Sequence, residues 1–278
     1  MSDQPGTLYF VATPIGNLSD ISARAVQTLR GADFIAAEDT RVTRKLLAFL
    51  GIKKTLVSYR EHNRRESGEK IIARILSGEN CALVSDAGTP GISDPGEDIV
   101  KLCVDAGIRI IIIPGPCAAV SALTLSGLSL SRFTFEGFLP AAGKKRRALL
   151  NELAVEKRTM VFYEAPHKLL RTLTDMFEVF GDRRVSVSRE LTKIYEETLR
   201  FSLSEAVDYF KENVPRGEFV LVVEGAQTVF SQGIDINYAL ALVTSYMDQG
   251  VSAKDAIKKA AGETGIPKNT LYNAVSKS

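Results

Sequence analysis

The residues able to do chemistry in this chain sit where short apolar runs stop. The longest such stretch is Ser85-Asp86-Ala87-Gly88-Thr89-Pro90-Gly91-Ile92-Ser93-Asp94-Pro95-Gly96. Three glycines and two prolines in twelve residues leave its backbone bare and fixed, so main-chain N–H and C=O groups can approach a ligand that side chains would otherwise block. Thr13-Pro14-Ile15-Gly16-Asn17, Pro114-Gly115-Pro116-Cys117-Ala118-Ala119 and Glu224-Gly225-Ala226 are of the same kind. Glu38-Asp39-Thr40-Arg41 adds two carboxylates beside a guanidinium. Such loops suit a ligand held by peptide groups and apolar walls. S-adenosylmethionine is one of several nucleotide-like molecules that fit, because its adenine needs an apolar slot and its sulfonium is repelled by Lys and Arg.

Other chemistries lack their residues. No G-x-G-x-x-G follows a strand and no G-x-x-x-x-G-K-[ST] occurs, which argues against a standard dinucleotide site and a P-loop. No G-x-S-x-G elbow is present. The two histidines, His62 and His167, are far apart, and no C-x-x-C pair exists, so no metal site is expected. The three cysteines, Cys81, Cys103 and Cys117, lie in apolar contexts and read as thiols of a reducing compartment.

The elements that must position these loops follow a regular order. Leu8–Ala12, Phe34–Ala37, Thr55–Ser58, Cys81–Val84 and Arg109–Ile113 read as strands, each followed by a loop and a helical pattern. That alternation predicts a mostly parallel sheet with helices on both faces. Arg109–Ile113, nearly all β-branched, predicts a strand buried on both faces. Asp94-Pro95 predicts the N-cap and first position of a helix. After Ser129 the pattern changes. Strands at Phe133–Gly137, Thr159–Glu164, Val185–Arg189, Glu196–Phe201 and Phe219–Val223 predict a mixed or antiparallel sheet. The helix Pro166–Phe180 is expected to present Leu169, Leu170, Leu173 and Phe177 on one face. Gln227–Asp235 reads as a linker. Helices over 238–247, 253–261 and 268–275 follow, resembling either a helix-turn-helix or a docking pair. The fold class is α/β: residues 1–120 a parallel α/β lobe, 121–228 an α+β lobe, and 236–278 a helical appendix.

The 278 residues, 45% hydrophobic and 24% charged, suffice for two cores. A net charge of +2 confines any nucleic-acid surface to a local patch. Lys144-Lys145-Arg146-Arg147 is the best such patch, or else a solvated helix start. The start of the chain lacks a secretory pattern and no apolar run reaches membrane-spanning length, so a cytoplasmic location is expected.

Together, Thr13–Asn17, Ala36–Arg41, Leu83–Gly96 and Pro114–Ala119 resemble the tetrapyrrole-methylase superfamily of S-adenosylmethionine-dependent methyltransferases. Within it the match is to the branch that methylates a cytidine ribose 2′-hydroxyl in the decoding region of 16S rRNA, and it spans essentially the whole chain. The resemblance implies two lobes with the cofactor in the cleft between them, and a homodimer. It implies cofactor contacts at Pro14, Asp86, Gly88, Thr89, Ile92, Cys117, Ala118, Tyr163, Gly225 and Ala226. Thr89 stands where tetrapyrrole methylases carry an acidic residue, a departure that argues against tetrapyrrole substrates.

For such a reaction a nearby base could take the hydroxyl proton. Asp39 is the first candidate, Glu38 the second, and Arg41 would orient the carboxylate or grip a phosphate. The same three also suit the first turn of a helix with no chemistry. His62, Asn63, Arg64 and Arg65 are candidates for contact with the RNA, or are solvated bystanders. The partner is then 16S rRNA or the 30S subunit. Two other readings remain: a tetrapyrrole C-methyltransferase, and a helix-turn-helix regulator that senses the cofactor.

Overall fold

A computed structural model describes residues 4–227 and 236–276. In the first sheet, β1 (Thr7–Val11), β2 (Phe34–Ala37), β3 (Thr55–Ser58), β4 (Cys81–Val84) and β5 (Arg109–Ile113) lie in the order β3-β2-β4-β1-β5. Every pairing is parallel. The connecting helices are α1 (Ala23–Gly31), α2 (Thr40–Phe49), α3 (Arg64–Leu76), α4 (Glu97–Asp105) and α5 (Ala118–Leu125). Alternate strand residues face opposite layers. Leu8, Phe10, Phe34 and Leu83 pack on Ile71 and Ile75 of α3 and Ile99 of α4. Val11, Ile35, Ala82 and Val84 pack on Ala25 and Leu29 of α1 and Leu47 of α2.

The strand order explains where the loops meet. The chain passes from β1 outward to β2 and β3, returns to insert β4 beside β1, then crosses to β5. Direction therefore reverses at β1 and β4. Open α/β sheets hold ligands in the crevice beyond the carboxyl ends of the strands at such a point.

β5 is an edge strand, not a strand buried on both faces, and Ile112 is 51% exposed. A β-branched run satisfies strand geometry wherever it lies in a sheet, so it does not encode its neighbours. Asp94 does not cap a helix either: α4 opens three residues later, with Gly96 at the N-cap and no side-chain cap bond. Ser93 adopts a left-handed backbone (φ +62°), and the Asp94 carboxylate bonds the Ser85 side chain instead.

The second sheet holds β6 (Phe133–Phe138), β7 (Thr159–Glu164), β8 (Arg184–Arg189), β9 (Glu197–Ser202) and β10 (Phe219–Val223), ordered β6-β7-β10-β8-β9. β6 and β7 are parallel and the other pairs antiparallel, the expected mixed sheet. Helices α6 (Gly143–Leu153), α7 (Leu169–Phe180) and α8 (Leu203–Glu212) cover one face through Leu150, Leu173, Met176 and Phe210. The buried stripe of α7 runs through Leu169, Leu173, Met176 and Phe180, leaving Phe177 38% exposed, so the expected face is turned by one residue. The other face of the sheet, with Val161, Val220 and Val222, packs on Ala119, Ala122 and Leu123 of α5. That shared helix makes 1–225 one compact unit.

A bulge interrupts β6: its register against β7 shifts between Phe135 and Gly137, and Gly137 has φ +63°. Bulges re-aim the side chains that follow. Here the next residue is Phe138.

Residues 226–278 are a separate unit, with helices α9 (Ile236–Asp248), α10 (Ala253–Thr264) and α11 (Lys268–Val275). They bury Ala239, Val243, Ile257 and Leu271 among themselves. Gly265, left-handed at φ +71°, ends α10, and the turn Gly265-Ile266-Pro267 leads into α11. Residues 228–235 of the expected linker lie outside the described residues. No helix among the described residues is long and apolar enough to cross a membrane.

Candidate active site

The loops beyond β1, β2, β4 and β5 are bonded to one another. Thr13 and Gly88 exchange both backbone bonds, N–H to carbonyl, at 2.8 and 3.0 Å. The Thr89 hydroxyl donates to the Pro116 carbonyl at 3.1 Å. The Asp39 N–H donates to the Asp86 carboxylate at 2.9 Å, and Arg60 Nε donates to the Glu38 carbonyl at 2.8 Å. Beside them opens a cleft of about 410 Å³, its far wall supplied by β7, β10 and the loop after β8. Ile15, Ile92, Ala118, Leu191 and Val220 make the apolar surface, and Glu38, Asp86, Asp94, Glu164 and Glu218 bring carboxylates. Among the described residues, no Lys or Arg lines it.

Carboxylates that are half-buried and crowded together hold their protons more tightly. Burial, then the charge of Asp86, raises the pKa of Glu38. Burial, then the charge of Glu38, pushes Asp94 up to about 6, against the lowering effect of the Ser85 hydrogen bond. Asp39 differs. It caps α2 by accepting the Arg41 N–H at 2.8 Å, and it accepts Arg41 Nη2 at 2.6 Å. Those bonds hold its carboxyl well below the usual range, which makes it a poor proton acceptor. Arg41, 78% exposed, is committed to Asp39.

Asp86, Gly88, Thr89, Ile92, Cys117, Ala118 and Tyr163 line the cleft with Glu38. Pro14 lies in an adjoining hollow that shares Asp86. Gly225 and Ala226 are not among the lining residues; a Cβ on Gly225 would fall 2.2 Å from the Lys157 carbonyl oxygen, so this glycine serves packing.

The proposed RNA contacts divide. His62 is exposed. Asn63 instead braces the backbone, accepting the Arg60 N–H at 2.7 Å. Arg64 pairs with Asp98 at 2.9 Å and Arg65 with Glu69 at 3.7 Å. In the basic run only Lys144 and Lys145 are exposed without an acidic partner among the described residues. Arg146, expected at the RNA surface, is instead 2% exposed and pairs with Asp175 at 2.6 Å, so it cannot reach RNA. Arg147 pairs with Glu178 and Asp175.

Asp94 and Phe138 are among the cleft residues hidden in the sequence, with Leu191, Glu218, Phe219 and Val220. Asp94 reads there as a cap. Phe138 is 56% exposed in the cleft, with its ring edge-on to Tyr163 at 5.5 Å. Its one signal is the glycine before it inside a strand, which marks a bulge.

Tyr163 joins the two sheets at the cleft. Its hydroxyl accepts the Ala119 N–H at 3.2 Å at the start of α5, and burial, then Cys117, pushes its pKa to about 12. Tyr163→Phe removes that acceptor, a loss of about 1 kcal/mol. The expected result is a roughly fivefold weaker cofactor affinity by calorimetry, at that same magnitude; an unchanged affinity would mean that the hydroxyl does not order the loop.

A family profile described as Tetrapyrrole (Corrin/Porphyrin) Methylases matches residues 7–207. Proteins named ribosomal RNA small subunit methyltransferase I are similar over nearly the whole chain. The one from Halalkalibacterium halodurans is 48% identical, covering 98% of this chain and 95% of that protein. Those from Bacillus subtilis and Escherichia coli O157:H7 are 47% and 44% identical, covering 97% and 96% of this chain and 94% and 93% of theirs. Among solved structures, a uroporphyrin-III-C-methyltransferase from Thermus thermophilus complexed with S-adenyl homocysteine aligns at TM-score 0.55 and 17% identity, over 78% of this chain and 97% of that one. A diphthine synthase aligns at TM-score 0.61 and 16% identity, over 79% and 90%.

Proposed function

The chain belongs to the tetrapyrrole (corrin/porphyrin) methylase family, and from that premise we propose that it methylates the 2′-hydroxyl of a cytidine ribose in the decoding region of 16S rRNA. It is an S-adenosylmethionine-dependent ribosomal RNA methyltransferase. The observation that carries this reading is identity of 44–48% to rRNA methyltransferases over nearly the full length, appendix included. Likeness to the tetrapyrrole enzyme is at the level of fold.

The cleft fits the cofactor by its donor set. Five acidic residues line an apolar slot that no Lys or Arg among the described residues enters; Glu164 is bonded to Thr172 and Glu218 to Lys193, so a cation there relieves repulsion that Glu38 and Asp94 otherwise relieve by binding protons. S-adenosylmethionine supplies a methyl group already activated on a sulfonium, and the departing thioether keeps the bonding electron pair. The protein's part is then to align the ribose oxygen and to accept its proton. We assign the proton to Asp94, with Glu38 beside it. Asp39 is given the structural task of holding α2 and, through its N–H, Asp86.

Phe138 is proposed as the face on which the cytosine stacks, since base–aromatic stacking is worth about 1–3 kcal/mol. Phe138→Leu should raise the KM for RNA roughly tenfold, on that same energy scale, while Phe138→Tyr should not. A loss of cofactor affinity with an unchanged RNA KM would make Phe138 a cofactor wall.

The 30S subunit as substrate, the cytoplasm as location and a homodimer belong to the same reading. The lobe division at residue 120 is likewise part of it. Labelled cofactor with 30S subunits, naked rRNA or a porphyrinogen tests the reading. Methylation of the RNA arms alone is expected, and labelling of the porphyrinogen alone would overturn it.

A further inference from the structure

We infer that the RNA backbone is gripped where α6 and α7 begin, by Lys144, Lys145, Lys168 and Arg171, rather than by the linear run Lys144–Arg147. This rests on the reading of an RNA substrate.

Charge is segregated along the two helices. On α7, Arg171, Asp175 and Glu178 follow at helical spacing along one face. Asp175 and Glu178 take up Arg146 and Arg147. One turn nearer the start, Arg171 takes no acid among the described residues. Its guanidinium rests against Gly143, the first residue of α6, where a Cβ would lie 2.7 Å from Nη2. Lys144, Lys145 and Arg171 are exposed and Lys168 is half-buried. None of the four has an ion pair among the described residues. Acidic side chains thus neutralise the half of the basic run that packs, and leave the other half bare.

The placement is electrostatically unfavourable without an anion. Helix starts carry positive partial charge, and cations belong at helix ends. Four cations at two helix starts repel both the dipoles and one another. Phosphates reverse the sign of each of those interactions. The corner also lies close to the cleft along the chain. Phe138 of the cleft wall precedes Gly143 by five residues, and Pro166 precedes Lys168 by two. A strand whose nucleotide sits at Phe138 therefore has its neighbouring phosphates near this corner.

The test uses the full chain with Lys144→Ala, Lys145→Ala and Arg171→Ala combined, and Arg147→Ala as the control. Binding to 30S subunits is measured against salt, and cofactor binding by calorimetry. The triple variant should bind RNA at least about tenfold more weakly, and its log K against log salt slope should shrink by about 2, at ~0.7 for each phosphate no longer neutralised. Its cofactor affinity should be unchanged. Arg147→Ala should keep the wild-type slope. An unchanged slope in the triple variant, or an equal loss in Arg147→Ala, overturns the corner while wild-type methylation of rRNA stands. A wild-type chain that binds cofactor and leaves every rRNA substrate unmethylated overturns the functional reading and the corner with it.

Discussion

Asp94→Asn is expected to lower the rate of methyl transfer about 10²- to 10⁴-fold, the usual contribution of a positioned base. Asparagine keeps the shape and the Ser85 contact but cannot accept the ribose proton. The pH profile separates this loss from a merely structural one. With Asp94 at about 6, wild-type kcat/KM should climb roughly tenfold per pH unit below about 6 and level above it, as expected for an essential base. The variant should lack that limb. In kcat the limb should lie lower, because a bound cation favours the carboxylate. Stability moves the other way. The folded-state pKa is above the unfolded value of 3.8, so the stabilising effect of the bound proton is complete below pH 3.8 and is lost as pH rises through about 6. At pH 7 the charged Asp94 therefore weakens the fold, and the asparagine variant should melt no lower than wild type. Single-turnover methylation with labelled cofactor between about pH 5 and 8 brackets the limb. A variant within threefold of wild type, or an equal loss in Asp39→Asn, would remove Asp94 from the reaction.

The sequence made the strands legible because each is a short apolar run stopped by glycine, proline or a charge. β2, β3, β4, β7 and β10 lie where those runs do. It also made the strand-tip loops legible, since a bare backbone is written in residue type. Side-chain partners far away in the chain were not legible. Arg146 reads as a surface cation until Asp175, 29 positions on, is brought against it. Asp94-Pro95 reads as a cap because capping is a local rule. The Ser85 side chain and the turn at Ser93 override it, and the carboxylate that results is the one with the proton affinity a base needs. Asp39 shows the converse: it sits among charges as a base would, yet Arg41 satisfies it. Edge and centre cannot be told from β5 itself, because sheet order is set by contacts between distant segments.

Gly225→Ala should destabilise the fold and spare the site, the reverse of what a cofactor contact would do. The added methyl would lie 2.2 Å from the Lys157 carbonyl oxygen, 2.3 Å from its carbon and 2.6 Å from the Arg158 carbonyl oxygen. All three are backbone atoms, so no side chain can swing aside, and the end of β10 must move from the turn before β7. Overpacking of this kind costs about 3 kcal/mol, which for a unit of this size is a fall in Tm of roughly 6–12 °C. Gly88→Ala is the counterpart. Gly88 lines the cleft at φ +81°, and its Cβ would meet Ile15 Cγ2 at 3.3 Å. The strain there is borne by the loop that lines the cleft. It should weaken cofactor binding about tenfold, with a loss of about 1–2 kcal/mol in stability. Thermal unfolding and calorimetry below the transition read both quantities in both variants. If Gly225→Ala keeps its Tm and loses the cofactor, Gly225 is part of the site after all. If instead the two variants separate along these two axes, the glycine that holds the chain together and the glycine that admits the ligand are distinct.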